Sequence, residues 1–525
     1  MAKFVNSSES ISSSLLLWND RPTQVSIEET YDLKVWPVTN IFNEGPINFN
    51  LPPQPKGMMT DIHVITKLKI QLDGQDITER QKSVSVVNNF TNSLWGMVDV
   101  QVDDRLDITQ SMKNSYAYQT YFNHSLNSDS NRAEYLYYNE LFKMDEGVTK
   151  QFEEESRTFW VWSKEHDDRI KRMVPSSITG AERTKKENEL KESFFQYDIR
   201  TGDDILNTAL DILGYTGDDL IAKKAEMKEI YQSSWVPASM NPAASERSRQ
   251  VYRGKSITLC AKLQCPLFNT AKCLPTNMKI RISLTKNNDK FLLLADEDSK
   301  YSVMIEDCYL TITYYKPRDE ILSLIEERLR KDPASYFISR PEIIIKPITN
   351  AGRIIRMTDI FHQTLPPYAF FCLQRSKDFE GSLKTNPFTF VPFKKFQFYL
   401  NGSPYFMDPL EVSTISKIGE GNYLFEDFGD YLRQLYITIG KDLKGDCLIN
   451  SSNFQLNFMV GMSFGADRSS LGESHLNLQE KASSYLEIDM GINESDIPND
   501  MILIVYALYD RQIQIDSNRK VRIIE

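Results

Sequence analysis

Short runs in which apolar and polar residues alternate dominate the chain. Val98, Val100 and Val102 alternate with Asp99, Gln101 and Asp103, the period-two pattern of a strand with one buried and one wet face. Asp103-Asp104 reads as a two-residue turn, since short acidic side chains tolerate positive φ, and Arg105 to Ile108 as the start of the return strand. The stretch Asn88 to Ile108, NNFTNSLWGMVDVQVDDRLDI, recurs without a gap from Asn386, as NPFTFVPFKKFQFYLNGSPY. Asn88 falls on Asn386, Phe90 on Phe388, Thr91 on Thr389, Trp95 on Phe393, and the three valines on Phe396, Phe398 and Leu400. The turn falls on Asn401-Gly402, a stronger hairpin signal than Asp-Asp. The copies lie too far apart for a solenoid and suggest duplication of a whole domain.

Other segments extend the pattern. Thr60 to Leu72 alternates through Ile62 and Val64, slips at Ile65, and resumes at Leu68, Ile70 and Leu72. Tyr118, Tyr121, Phe122 and Leu126 recur at helical spacing behind Ser115, a candidate N-cap. From about Ser128 to Arg253 the alternation dissolves into a charged insertion containing QFEEESRTFWVWSKEHDDRIKRM, KKENELKES and DDILNTALDILGYTGDD. Such a length without strong pattern predicts an elaborated loop region with small helices, serving contact more than core. Strands are predicted again at 256–263, 278–285, 291–295 and 308–315, followed by a helix from Asp319 to Lys331.

The second half repeats this order. EIIIKPI and YAFFCLQ read as strands, and a hairpin follows at 393–407. YLFEDFGDYLRQLYITIG stands where the first half has its helix. NFQLNFMVGMSF, SYLEIDMGI and MILIVYALYD read as strands, the last apolar on both faces and so interior. QIQID, a turn at Ser517-Asn518 and KVRII finish the chain. The expected fold is mainly β: a double jelly roll of two eight-stranded antiparallel sandwiches, with short helices and a long insertion in the first. The expected divisions are a flexible N-terminal arm at 1–30, a first roll at 31–317 with its insertion at about 128–253, a helical linker at 318–340, and a second roll at 341–525.

Composition narrows the function classes. The 525 residues are 41% hydrophobic and 25% charged, near globular averages, and include 28 Phe and 25 Tyr, which favours β structure. A net charge of -11 argues against a surface built to grip nucleic acid. No run of eighteen apolar residues predicts a membrane span. SSSLLLWND is too short an apolar run for a secretion signal and meets Asp20 at once. The Asn-x-Ser/Thr triplets at Asn6, Asn89, Asn123, Asn401, Asn450 and Asn493 are accordingly read as chance.

Candidate chemistry is sparse. Cys260, Cys265, Cys273, Cys308, Cys372 and Cys447 form no CxxC pair and read as structural thiols of a reducing compartment. His63, His124, His166, His362 and His475 form no HxH or HExxH. Glu165, His166, Asp167 and Asp168 are adjacent on a charged loop and read as solvated. No GxSxG or phosphate-binding glycine loop is present; IGEGN at 418–422 lacks the third glycine and reads as a flexible loop. RTKKENELK at 183–191 mixes charge signs, as a solvated helix face does. FFQYDIR and YFMDPL read as core aromatics. No catalytic, cofactor-binding or metal-ligating residue is assigned, no cofactor is expected, and the chain does not read as an enzyme.

Several ordered blocks carry a resemblance: VNNFTNSLWGMVDVQVDDRLDI, PLFNTAKCLPTNMKIRISLTKNNDKFLLL, YSVMIEDCYLTITYYKP, FEGSLKTNPFTFVPFKKFQFYLNG and ILIVYALYDRQIQIDSNRKV. They resemble the double jelly-roll major capsid proteins of Polinton/Maverick elements and adintoviruses, and more distantly those of virophages. The resemblance runs from about residue 45 to the end, is weakest over 128–253, and is absent from the arm. It implies a virion protein forming homotrimers of pseudo-hexagonal outline, which tile an icosahedral shell around double-stranded DNA beside a single jelly-roll penton protein. The strand-end insertions would then supply an outer tower and contacts with neighbouring trimers. Relatives are often cut by a maturation protease at Gly-rich motifs; this chain has no Gly-Gly pair, so no cleavage inside the folded part is expected. Two alternatives stay open on the residues: a two-domain β-sandwich lectin or receptor-binding protein, and a sandwich hydrolase whose triad forms only in three dimensions.

Overall fold

The computed structural model describes residues 23–42, 45–76, 84–103, 106–107, 109, 112–145, 171, 174–195, 210, 213–214, 242–251 and 255–524, the last with short breaks at 296–299, 349–351, 362–363, 384–385, 420–421, 442–445, 472–475 and 478–480. The expected arm up to residue 22, most of the charged insertion and residues 196–200 of FFQYDIR lie outside the described residues, as do Glu165, His166, Asp167, Asp168, His362 and His475.

Among the described residues eight principal strands build the first sandwich: β1 (Ile27–Val35), β2 (Ile47–Leu51), β3 (Met58–Leu72), β4 (Trp95–Val102), β5 (Leu106–Asp107), β6 (Ile257–Lys262), β7 (Ile280–Lys286) and β8 (Tyr301–Pro317), with the short Gln75–Asp76 paired beside β3. They pair antiparallel in the orders β1-β8-β3-β6 and β2-β7-β4-β5. The principal strands of the second sandwich are β9 (Ala334–Ile348), β10 (Ile354–Thr358), β11 (Tyr368–Arg375), β12 (Lys395–Leu400), β13 (Ser403–Pro404), β14 (Val460–Ser463), β15 (Ser484–Asp489) and β16 (Met501–Ile515), with Leu410–Glu411 paired beside β12 and Val521–Ile524 beside β16. Its orders, β9-β16-β11-β14 and β10-β15-β12-β13, are the same sequence advanced by eight. Each half is therefore a jelly roll. Pairing begins at Ile27, inside the stretch read as arm, and resumes at Ala334, inside the stretch read as linker.

The repeated block supplies β4 and β12. Val98, Val100 and Val102 are buried while Asp99 and Gln101 are half-exposed, and Phe396 and Phe398 are wholly buried in the second copy. The two turns differ. Asn401 (φ 49°) and Gly402 (φ 79°) close a two-residue hairpin, with Leu400 paired to Ser403. In the first roll Val102 pairs with Leu106, and Asp103 has φ 56°; Asp104, Arg105 and Ile108 of the expected turn and return strand lie outside the described residues.

Several expectations are corrected. Ile65 marks no slip: burial alternates evenly from Ile62 through Val64, Thr66, Leu68 and Ile70, and Ile65 sits half-covered on the other face. FLLLA is not a strand, since Asp289–Leu292 form a helical turn capped by Asn288 and only Leu293–Leu294 pair, with Ser85–Val86. In NFQLNFMVGMSF only Val460–Ser463 are extended. Residues 450–457 turn instead, with Phe454 N donating to Asn450 O and Asn457 N to Asn453 O, yet Phe454 and Phe458 are still buried. IGEGN falls on a hairpin pairing Thr414–Gly419 with Asn422–Glu426.

The longer helices among the described residues are α1 (Ser115–Asn127), α2 (Ser130–Glu140), α3 (Gly180–Phe195), α4 (Pro242–Val251), α5 (Asp319–Lys331) and α6 (Gly429–Ile439). The residue capping α1 is Asn114, in left-handed conformation, and Ser115 is already helical. Leu136, Leu141, Phe142, Met144 and Val251 join the main core, so part of the insertion is core as well as contact surface.

Strand direction gives the molecule two unlike ends. The β2–β3, β4–β5 and β6–β7 connections meet at one end, where Asn277 N donates to Gln54 O and Asp103 N to Lys279 O. The chain enters β1 and leaves β8 there, with Arg318 N bonded to Ser26 O. Helix α5 lies at this base, tied by Lys56 to Asp319 (2.8 Å) and by Arg519 to Glu326 (2.5 Å). The opposite end carries the long β5–β6 insertion. Arg519, which follows β16, also donates to the Thr276 carbonyl of the first roll (2.7 Å), so the two rolls stand with the same polarity.

Gly402→Val forces a branched residue into left-handed backbone, which costs about 1–2 kcal/mol per residue. The denaturation midpoint should fall accordingly, whereas a cost-free substitution would contradict the assigned turn geometry.

Candidate assembly surfaces

Catalytic groupings were sought first. His124 is fully buried, its Nε2 2.8 Å from Glu140 Oε2, which also accepts from Asn92 Nδ2 (2.6 Å). His63 is half-buried on β3, and burial holds its ring below the usual histidine range. Neither ring is hydrogen-bonded to a Ser, Thr or Cys among the described residues, and no group of three His, Cys, Asp or Glu there could hold a metal. All six cysteines are unpaired. Burial pushes the Cys265 and Cys308 thiols up to about 12. No described helix is long and apolar enough to cross a membrane.

Two clefts lie between the rolls. One, of about 230 Å³, is lined by Asn123, Asn127, Gln264 and Asn269 beside the exposed ring of Phe337. Its amides bond to one another: Asn127 donates to Asn123, and both Asn123 and Asn269 donate to Gln264 Oε1. The other, of about 340 Å³, lies between α2 and residues 448–453 and is lined by Tyr137, Tyr138 and Phe142.

The strongest construction in the molecule is the seam between the rolls. Helix α1 is buried on nearly every side, unlike a surface helix with one apolar stripe. One flank meets the first copy of the repeat: Asn89 Nδ2 donates to Ala117 O (3.2 Å) and Thr120 Oγ1 (2.7 Å). The other meets the second copy. Tyr121 stacks on Phe388 with ring centroids 4.2 Å apart and 6° between planes, and Phe122 stacks on Phe390 and Tyr506 at 5.7 and 5.2 Å. The Tyr118 hydroxyl lies 2.8 Å from both Gln374 Oε1 and the Pro387 carbonyl, and the Tyr121 hydroxyl donates to Asn457. These contacts hold both buried hydroxyls, whose ionisation burial opposes.

A polar chain extends the seam. Arg247, fully buried on α4, pairs with Asp145 at 2.7 Å and donates to Lys143 O (2.9 Å) and Val86 O (3.2 Å). Asp145 in turn accepts from Asn386 of the second repeat copy. Backbone bonds from Leu383 N to Lys290 O and from Ala295 N to Leu383 O close the join, and Gly381 (φ 93°) approaches so closely that a Cβ would land on the Phe291 backbone. Patterning alone missed this seam, although the duplicated Asn-x-Phe-Thr already marked both of its walls.

Outward-facing apolar groups lie apart from it. Trp36, Val38 and Phe42 in the β1–β2 connection are 52%, 66% and 65% exposed, with Lys34 Nζ 4.0 Å from the Trp36 ring. In YFMDPL, Tyr405 and Phe406 are partly covered, but Met407 is 99% exposed at the base. Edge strand β9 carries Pro341 and Pro347, residues that cannot donate to a ladder and so blunt strand addition.

No family model matches the sequence, and no curated protein matches it. Solved structures do. A chain of the Sputnik virophage, from its cryo-EM structure, aligns over 100% of this chain and 94% of its own, with TM-score 0.55 and 11% identity. The Faustovirus major capsid protein aligns over 95% of this chain and 92% of its own, with TM-score 0.54 and 8% identity. At these identities the likeness establishes the fold, a double jelly roll running the length of the chain.

Two outcomes follow from the seam and the thiols. Asp145→Ala should destabilise the protein by about 3–5 kcal/mol in urea denaturation, since it strands a buried guanidinium; Asp145→Leu with Arg247→Met should recover most of that loss. In native protein at pH 8, Cys260 and Cys273 should react with a thiol reagent well before Cys265 and Cys308, where a pKa of about 12 leaves roughly one thiolate in ten thousand.

Proposed function

We propose that the chain is a viral major capsid protein, a structural subunit and not an enzyme. The observation that carries this reading is the pairing of two jelly rolls of identical strand order, at equal polarity, across a fully buried seam. Such a unit presents two similar lobes at fixed spacing. Three copies around a threefold axis present six similar edges, which pack on a hexagonal lattice; closed symmetry also buries the subunit edges.

In this reading the subunit forms homotrimers of pseudo-hexagonal outline that meet neighbouring trimers in an icosahedral shell around double-stranded DNA, within the virion. A single jelly-roll penton protein would fill the fivefold vertices, and no sequence-specific nucleic-acid contact is involved. The insertion end faces outward as a tower and the base inward. The residues before β1 serve as an arm, β1–β8 and β9–β16 build the two lobes, and α5 is the linker between them. The Polinton and adintovirus kinship rests on the ordered sequence blocks.

Purified protein should run as a trimer by light scattering and show hexagonal outlines or closed shells in negative stain. A monomer stable across concentration and salt would overturn the proposal.

A further inference from the structure

Helix α5, between the rolls, carries an apolar stripe that the other described residues cover only in part: Leu329 is buried. Ile321, Leu322 and Ile325 are only half-buried, and Leu324 on the flank of the stripe is 61% exposed. None of them joins the hydrophobic core cluster. Polar ties hold α5 at both ends of this flank: Lys56 to Asp319, and Thr276 and Arg519 to Glu326. The flank formed by Ile321, Leu324 and Ile325 therefore keeps apolar surface in contact with water that a further segment could cover.

The chain itself ends its described part beside that face. Arg318, the residue preceding α5, donates its N–H to the carbonyl of Ser26 at 3.0 Å, so the described chain begins, at residue 23, close to the helix N-terminus. Within residues 1–22, Leu15, Leu16, Leu17 and Trp18 form an apolar cluster between Ser12–Ser14 and Asn19-Asp20. Eight residues separate Trp18 from Ser26, a reach of up to about 27 Å. Leu324 lies only about 9 Å along the axis from Arg318, and the whole helix is about 20 Å long. The cluster can therefore reach any point of the stripe, and the tether keeps its local concentration high.

We propose that the Leu15–Trp18 segment of the same chain docks on the Ile321–Leu324–Ile325 face of α5, so that the N-terminal arm braces the helix joining the two rolls. The docking is intramolecular and holds whether or not the protein builds a shell. It also gives LLLW, read first as too short to be a secretion signal, a place to be buried.

Hydrogen exchange followed by mass spectrometry tests this on three proteins: the full chain, a chain lacking residues 1–22, and the full chain with Leu16→Ser and Trp18→Ser. Amides of 322–331 should exchange about tenfold faster in the latter two, while those of β3 and β8 stay unchanged as folding controls. Equal exchange in all three overturns the proposal. Protection of α5 that rises with protein concentration and ignores the arm also overturns it, because the cover would then be a second copy of the chain.

Discussion

Everything in this molecule depends on the burial of α1 between the two rolls. The helix belongs to the first roll by sequence, yet its Tyr118, Tyr121 and Phe122 pack on Phe379, Phe388, Phe390 and Tyr506 of the second. Each fully buried side chain of this size is worth about 1.5–3 kcal/mol relative to exposure. Separating the rolls would expose these rings and also leave the Asp145–Asn386 and Tyr121–Asn457 bonds unmade in a site built to exclude water. Two sandwiches that could have been beads on a string are thereby fixed as one body.

Duplication explains why the seam has the form it does. The segment before β4 and the segment before β12 share Asn-x-Phe-Thr, and the two copies grip opposite flanks of one helix. In the first copy Asn89 and Asn92 bond to the helix and to Glu140; in the second Phe388 and Phe390 supply aromatic faces. The same ancestral turn thus serves polar anchoring on one side and stacking on the other. Equal polarity accompanies this arrangement, and with it the division into an insertion end and a base.

Much of the fold was legible in the sequence because strands with one buried face announce themselves. The valines of β4, the long alternation of β3, the apolar β16 and helix α5 lie where period and capping put them. The failures have a common cause. Phe454, Leu456 and Phe458 alternate like a strand, but Asn450 and Asn453 accept turn hydrogen bonds and fold the segment back, so burial is met without extension. FLLLA is fully buried on every side, and a short run of that kind carries no period to read. The seam was not legible, since Arg247, Asp145 and Asn386 become neighbours only through tertiary packing.

The claim that the seam makes one body is tested most directly by native-state hydrogen exchange of α1 as denaturant is raised toward the transition. The account predicts that amides of Tyr118 to Phe122 exchange only with global unfolding, merging with those of β8 and β16. Exchange of α1 through a smaller opening, while both rolls keep their protection, would contradict it.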